Sequence, residues 1–310
     1  MKPLSVTIVI LNWNQALATI SCAESVIRAV NICDAVTAKV QLLIVDNGSK
    51  EAEVENLREW CASRLEFPVS LVESPNNLGY SGGMNLAVLE ALKQGADYLW
   101  LLNNDTTVEE NSLQALIAYC QEHPDEAITG VTVVDAQTGR VQAAGGHRYY
   151  RWLGLNRPLL KGRQFTTPAD LPQATPDYID GAAMWLKGDF LRRIGGLPKA
   201  HFLYFEELEL AARLTPMEGS GWCREALVSH LGGGSTANNS RQVTSTYHAA
   251  YSALTYTRKH HRLCLPSVII ARLVGNGLRS IVRRQPALFT TSVRAVRDFF
   301  AGRPAIYPER

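Results

Sequence analysis

Residues Trp100–Leu116 read WLLNNDTTVEENSLQAL. An apolar run stops on two amides and a carboxylate, Asn103, Asn104 and Asp105, and a helical pattern follows. An apolar run without polar interruption is what a strand covered on both faces requires. Such strands build parallel sheets, and parallel sheets carry ligands beyond the carboxyl ends of their strands. The polar stop therefore reads as a strand end that faces a ligand.

The same alternation extends to both sides. VTIVIL (Val6–Leu11) predicts a first strand, with a helix to about Val30. VQLLIVD (Val40–Asp46) predicts a second strand, EAEVENLREWCASRL a helix and PVSLVES a third strand. SGGMNLAVLEALKQG is helical, with Gly95 as its C-terminal stop. DYLWLL is the fourth strand; the helix after it ends at Pro124, and AITGVTVV is a fifth. This order predicts an α/β fold, a mostly parallel Rossmann-like sheet flanked by helices with right-handed crossovers. The alternation stops near residue 135. RYYRWLGLNRPLLKGRQFTTPADLPQ reads as a long basic, aromatic loop, and helical patterns dominate from Gln242. The division is thus a domain over 1–241 and a helical C-terminal extension over 242–310.

Charge is distributed unevenly. Residues 258–310 hold eleven Lys/Arg against two Asp/Glu, a net of +9, so the rest of the chain carries −7. A basic tail on an acidic body predicts an anionic surface as partner. It lacks an organised basic–aromatic stacking pattern, which argues against nucleic acid. The six cysteines are scattered, with no C-x-x-C pair, so the expected compartment is reducing and cytoplasmic. The N-terminal apolar run is too short and strand-like for a signal peptide.

Several residues at the predicted strand ends carry chemistry, each with a plainer alternative. Asp46 precedes Asn47-Gly48-Ser49: either this is a turn with Ser49 or Asn47 capping the next helix, or Asp46 accepts a hydrogen bond from a nucleobase N–H. Asn76–Asn85 (NNLGYSGGMN) is either a tight turn or a junction whose glycines let a ligand approach the backbone. It is neither a dinucleotide fingerprint nor a P-loop. Asp105 either caps the following helix or binds a divalent cation together with substrate phosphates. Glu206, Glu207 and Glu209 either favour a helix dipole, with Arg213 at i+4 from Glu209, or supply a general base. His230 precedes Gly232-Gly233-Gly234-Ser235-Thr236, a loop suited to close over phosphate, which favours a metal or phosphate contact.

In order and spacing, VTIVILNWN, LLIVDNGS, NNLGYSGGMN, YLWLLNNDT, IDGAAMWLKGDFLRRIGGLP, FLYFEELELAARL and VSHLGGGST resemble a family-2 glycosyltransferase of the GT-A fold. The resemblance covers about residues 5–240. It is closest to bacterial rhamnosyltransferase-like enzymes of surface polysaccharide synthesis. It implies a nucleotide-sugar donor, such as dTDP-rhamnose, and a glycan or lipid-linked acceptor. Asn12 and Asn14 would lie at the nucleotide pocket, with Asp46 on the base. Asn77, Gly79 and Asn85 would belong to the donor turn. Asn103-Asn104-Asp105 stands where the family has its D-x-D-type motif, with Asn104 at the substrate and Asp105 on Mg2+ or Mn2+, joined by His230. Asp180 and Gly181 match a position near both sugars. The family's catalytic base is the second acid of a Glu-Asp pair; here the pair is Glu206-Glu207, so Glu207 inherits the role with a side chain one methylene longer.

The segment LCLPSVIIARLVGNGLRSIVRR is interrupted by Pro266, Arg272 and two glycines, and falls short of the ~20 apolar residues of a spanning helix. Amphipathic helices bearing Arg279, Arg283, Arg284, Arg294 and Arg297 would instead lie on the inner leaflet of the cytoplasmic membrane as a peripheral contact. The other reading packs them on the catalytic body or on a second subunit of a homo-oligomer. Two further functional readings are a sugar-phosphate nucleotidyltransferase and a degenerate, glycan-binding or scaffolding member of the fold. The nucleotidyltransferase would want a basic, glycine-rich loop where this chain has NWNQALAT.

Overall fold

The computed structural model describes residues 3–33, 37–67, 69–230 and 239–303. The chain runs β1 (Leu4–Asn12), α1 (Ala16–Ile32), β2 (Ala38–Asn47), α2 (Glu51–Ala62), β3 (Val69–Ser74), α3 (Gly79–Lys93), β4 (Tyr98–Asn103), β5 (Thr106–Val108), α4 (Ser112–Glu122) and β6 (Glu126–Asp135). It continues through β7 (Val141–Ala144), β8 (Gly146–Tyr150), β9 (Leu155–Pro158), β10 (Tyr178–Ile179), β11 (Ala183–Lys187), α5 (Gly188–Ile194), α6 (Glu206–Ala211) and β12 (Gly219–His230). Three helices close it: α7 (Asn239–His260), α8 (Leu265–Val282) and α9 (Ala287–Phe300).

The main sheet has nine strands in the order β3-β2-β1-β4-β11-β6-β12-β5, with β7 paired to β6. Strands β3, β2, β1 and β4 run parallel to one another, and β6 runs parallel to β12. Consecutive residues of β1 feed opposite layers: Ile8 and Ile10 enter one core with α1, α2 and α4, and Val9 enters the other with α3 and α5. Burial on both faces is what the uninterrupted apolar run demands. Gly95, at φ +84, ends α3 as the sequence predicts.

The right-hand half of the sheet differs from simple alternation. The fifth predicted strand, β6, does not pair with β4; β11 lies between them, antiparallel to both. Its side chains explain the insertion. Met184 and Trp185 are buried on opposite faces, and Trp185 stacks on Tyr98 at 5.3 Å and meets Trp100 edge-on at 6.2 Å.

The segment read as a long loop contains a hairpin. β8 pairs with β9 and β10 in a second, three-stranded sheet. Tyr149 points inward and meets Phe205 and Tyr256 edge-on, which gives the hairpin an apolar anchor. The C-terminal helices join this region. Phe205, Leu208 and Tyr178 share one core with Leu254, Tyr256, Val268 and Phe299. The predicted division at 241/242 falls within the first turn of α7.

Candidate active site

The carboxyl ends of β1, β2 and β4 are tied by one chain of hydrogen bonds. Asn104 Nδ2 donates to Thr19 Oγ1 (3.1 Å), and Thr19 donates to Asn12 Oδ1 (2.7 Å). Asn12 Nδ2 donates to Asp46 Oδ1 (2.8 Å), and the Ser49 N–H donates to Asp46 Oδ2 (3.0 Å). Asp46 is 1% exposed and both its oxygens are engaged, so in this conformation its contacts are to the protein. Asn14, at φ 53, accepts the Lys50 N–H at 2.8 Å and so fixes the start of α2.

The glycine-rich junction lets protein atoms approach its backbone closely. Gly79 has φ +75, and a Cβ there would lie 2.4 Å from the Phe202 carbonyl oxygen. A Cβ on Gly83 would meet Leu11 at 2.7 Å. Asn77 Oδ1 accepts from the Gly79 N–H and from Asn47 Nδ2 (2.9 and 3.1 Å). Asn85 is buried, and its amide closes a two-bond clamp on the Leu197 backbone. It joins α3 to the turn after α5.

Short strand β5, which the sequence does not signal, runs antiparallel to the end of β12. That pairing sets Asp105 beside His230, with His230 Nε2 3.1 Å from Asp105 Oδ1. His230 Nδ1 donates to Gln142 Oε1 (2.8 Å), and Gln142 Nε2 donates to Asp135 Oδ2 (3.2 Å). Burial pulls the imidazole pKa down, but the hydrogen bond and charge of Asp105, with Asp180 and Asp135, outweigh it and raise the pKa. The glycine loop over 232–236 lies outside the described residues.

The glutamate pair stands at the start of α6. Two non-glycine residues in the left-handed region, Tyr204 (φ 67) and Phe205 (φ 75), lead into it. Consecutive strained residues of this kind are found where a site over-determines the backbone. Glu206 is 3% exposed, and its Oε2 has no hydrogen-bond partner among the described residues. Burial pushes its carboxyl up to about 7. Burial, then the charge of Glu206, raises Glu207 well above the carboxylate range. A Cβ on Gly181 would lie 2.0 Å from Glu207 Oε1, so the missing side chain is where the carboxylate sits.

Asp180 connects the two acidic ends. His147 Nε2 lies 2.7 Å from its Oδ2, and the Ala182 N–H donates to its Oδ1 (2.9 Å). Burial raises its pKa, but His147, the Ala182 amide and the charge of His230 hold it below the usual value. Asp180 in turn acts on Glu207 and, with both glutamates, on the half-buried Tyr80 phenol, whose hydroxyl donates to the Gly181 carbonyl (3.4 Å). Asp180 thus lies in electrostatic reach of both His230 and Glu207.

Several participants are absent from the sequence reading: Thr19, Tyr80, Gln142 and His147. Tyr80 follows Gly79 directly and was within reach; nothing local marks His147, which stacks on Tyr178 with rings 5.0 Å apart. The expected Glu209–Arg213 pair is not made. Glu209 is fully buried and pairs with Lys259 (2.6 Å), His260 (3.0 Å) and His201 (3.6 Å). Its partners come mainly from α7 because it faces the C-terminal helices rather than its own helix surface.

Residues 7–191, more than half the chain, match the family model described as glycosyl transferase family 2. A low-salt glycan biosynthesis hexosyltransferase, Agl10 of Haloferax volcanii, is 24% identical over 191 residues, 59% of this chain and 56% of its own length. Galactofuranosyltransferase GlfT1 of Mycobacterium tuberculosis is 34% identical over 94 residues, 29% of this chain and 30% of its own. The chain thus spans about half or less of these relatives. Among solved structures, the mannosyltransferase PcManGT of Pyrobaculum calidifontis, in complex with GDP-Man and Mn2+, aligns over 96% of this chain and 88% of its own. Its TM-score is 0.55 at 13% identity, a likeness of fold.

Proposed function

The chain belongs to glycosyl transferase family 2, and from that membership we propose that it is an inverting hexosyltransferase. It moves a sugar from a nucleotide-sugar onto a hydroxyl of a glycan or lipid-linked acceptor. The observation that carries this reading is the Glu207 carboxyl, half-buried against Gly181 and in electrostatic reach of Asp180, which in turn feels His230. The acceptor oxygen bonds to the anomeric carbon as the bond to the diphosphate oxygen breaks. The electron pair leaves with the nucleoside diphosphate, and the hydroxyl proton passes to Glu207. One displacement inverts the anomeric centre. A base with a raised pKa suits a proton acceptor working near neutral pH, and the pair with Glu206 titrates as a unit.

Asp105 and His230 fit a divalent cation. A carboxylate oxygen and an imidazole nitrogen lie 3.1 Å apart, and the second carboxylate oxygen has no hydrogen bond among the described residues. No group of three His, Cys, Asp or Glu forms a site among those residues, so the rest of the shell would be substrate phosphate and water, as Mg2+ or Mn2+ prefers. When bound, the cation would supply positive charge against the negative charge gathering on the leaving diphosphate. The Asn12–Asp46 chain holds the rim to which the nucleotide would dock, with a base contact by Asp46 requiring it to turn from its present partners.

The test is Glu207→Gln. Transfer falls by at least 10²-fold, while thermal stabilisation by UDP, dTDP or GDP with Mn2+ persists. Normal transfer by this variant would overturn the base assignment; nucleotide binding without any wild-type turnover would favour the binding-module reading. A donor panel should begin with dTDP-rhamnose, which the motif resemblance favours. It should include a galactofuranosyl donor, after the named activity of a relative.

Membrane contact belongs to the same reading. α8 is arranged inside out: Ile270, Val274, Leu278 and Ile281 share its outward face, exposed by 56 to 74%. Arg262–Val282 is a continuous helical stretch, long and apolar enough to cross a membrane, which its proline and glycines did not suggest. Exposed Arg294 and Arg297 on α9 suit an anionic leaflet. Flotation with anionic liposomes at low salt should carry the protein upward; no binding there counts against the contact.

A further inference from the structure

A cavity of about 470 Å³ opens between α7 and α8, beside the left-handed turn that leads into α6. Tyr204, Ser245, Thr246, Arg272, Arg279 and Arg283 line it. The arginines recur at i, i+7 and i+11, so one face of α8 turns three guanidinium groups into a single space. None of the three pairs with a carboxylate among the described residues; the arginine ion pairs lie elsewhere. Arg272 Nε is buried without a hydrogen-bond partner among those residues. Its Nη2 donates to the Gly154 carbonyl, and its guanidinium lies 6.0 Å from the Phe205 ring centroid. Burial, and then the like charge of Arg279, pull its pKa down to about 10.

Three like charges gathered in one space, with Arg272 half-buried and Arg279 and Arg283 exposed at its mouth, repel one another until an anion joins them. A planar guanidinium fork matches phosphate oxygens in pairs, and several together select a phosphate-type group over a single carboxylate. Position narrows the class. Tyr204 donates to Ser245 Oγ at 3.1 Å across the cavity wall, and Glu206 and Glu207 follow it by two and three residues. The opposite face of α8 is the exposed apolar one. A ligand that carries an anionic group here would have a reactive end toward Glu207 and a hydrocarbon end toward that face.

We propose that this cavity is an oxyanion site that takes the phosphate or diphosphate group of a lipid-linked acceptor, with Arg272, Arg279 and Arg283 as its ligands. The proposal rests on the transferase reading and specifies its acceptor class. The site sets the register between anchor and hydroxyl, so the sugar to be extended meets Glu207 while the phosphate stays in place.

The test is direct titration of the full chain by calorimetry in EDTA, which silences a cation-held diphosphate at Asp105. The probes are farnesyl diphosphate, inorganic pyrophosphate and farnesol. Farnesyl diphosphate should bind at least tenfold tighter than farnesol and tighter than pyrophosphate. Arg279→Gln with Arg283→Gln, both on the exposed end of the site, should weaken both diphosphates by tenfold or more. Asp105→Asn should leave them unchanged. Unaltered binding by the double arginine variant, or an equal loss in Asp105→Asn, overturns the site. Pyrophosphate binding as tightly as farnesyl diphosphate, or displacement of it by phosphatidylglycerol vesicles, overturns the lipid-linked source. These readouts need no turnover. Diphosphate binding with no transfer to any acceptor sinks the transferase reading alone, whereas transfer with an unchanged acceptor KM in the arginine variant sinks the site alone.

Discussion

Replacing Gly181 with alanine probes the placement of the base without touching an ionisable group. The new Cβ would lie 2.0 Å from Glu207 Oε1 and 3.0 Å from its Cδ, where ordinary contact begins at 3.4 Å. The oxygen must therefore retreat by about 1.4 Å. The atom that moves is the end of a flexible side chain, so the fold should bear the change at roughly 0.5–1.5 kcal/mol, the scale of one strained rotamer. Catalysis is less forgiving. A displacement of about 1 Å at a reacting group costs on the order of 10²-fold in rate, about 2.7 kcal/mol of barrier. We expect kcat to fall by about 10²-fold, the donor KM to hold within about threefold, and nucleotide-induced thermal stabilisation to remain. Gly275→Ala is the control: it lies in α8 with no atom within 4 Å of the added Cβ, and should stabilise by up to about 1 kcal/mol with kcat unchanged. If Gly181→Ala keeps kcat within about twofold of wild type while folded, Glu207 does not act from the position described here.

Three further outcomes are expected. Glu206 holds a proton up to about pH 7 when folded and gives it up near 4.5 when unfolded, so its contribution is whole below 4.5 and is lost as pH climbs through 7. Glu206→Gln should therefore gain in melting temperature over wild type between pH 5 and pH 8; a difference that is flat with pH would refute the assignment. Glu209 is held down at about 2 by its cationic partners against its burial, so it stabilises above 4.5 and loses that stability as pH falls toward 2. Urea unfolding of Glu209→Gln should show a loss of about 3 kcal/mol at pH 7 that shrinks toward pH 3. Asp105→Asn should abolish the part of UDP-induced thermal stabilisation that Mn2+ adds, and leave the metal-free part; an undiminished Mn2+ increment would place the cation elsewhere.

The left half of the sheet was legible because its physics is local. A strand buried on both faces must be mostly apolar, and the runs Ile8–Ile10 and Leu42–Val45 have few other ways to satisfy that. The place of β11 was not legible, since antiparallel insertion between β4 and β6 depends on pairing partners more than fifty residues apart. The β8–β9 hairpin was hidden for a related reason. Arg148, Tyr149 and Tyr150 alternate as a strand should, but the partner for Tyr149 lies on α7. Polar endings at Asn12, Asp46 and Asn104 pointed to one rim, and the structure does bring them together. Their mutual engagement could not be read, because a hydrogen bond between residues 34 or 85 positions apart leaves no periodic trace. Helical spacing pointed Glu209 at Arg213, whereas packing pointed it at Lys259.

The hydrogen-bond chain beneath that rim has a direction. Each member from Asn104 through Thr19 to Asn12 donates to the next, and the sequence of donors terminates on Asp46, which also absorbs the Ser49 amide. The two arrivals reach different oxygens of the carboxylate, and an amide would put an N–H₂ donor in place of one of them. With asparagine at 46, either Asn12 turns over or the Ser49 turn loses its tether. If Asn12 turns, Thr19 finds an N–H₂ where its acceptor was, and Asn104 is released next door to Asp105. The orientation of a side chain on the fourth strand is thus written by the protonic polarity of a single atom on the second.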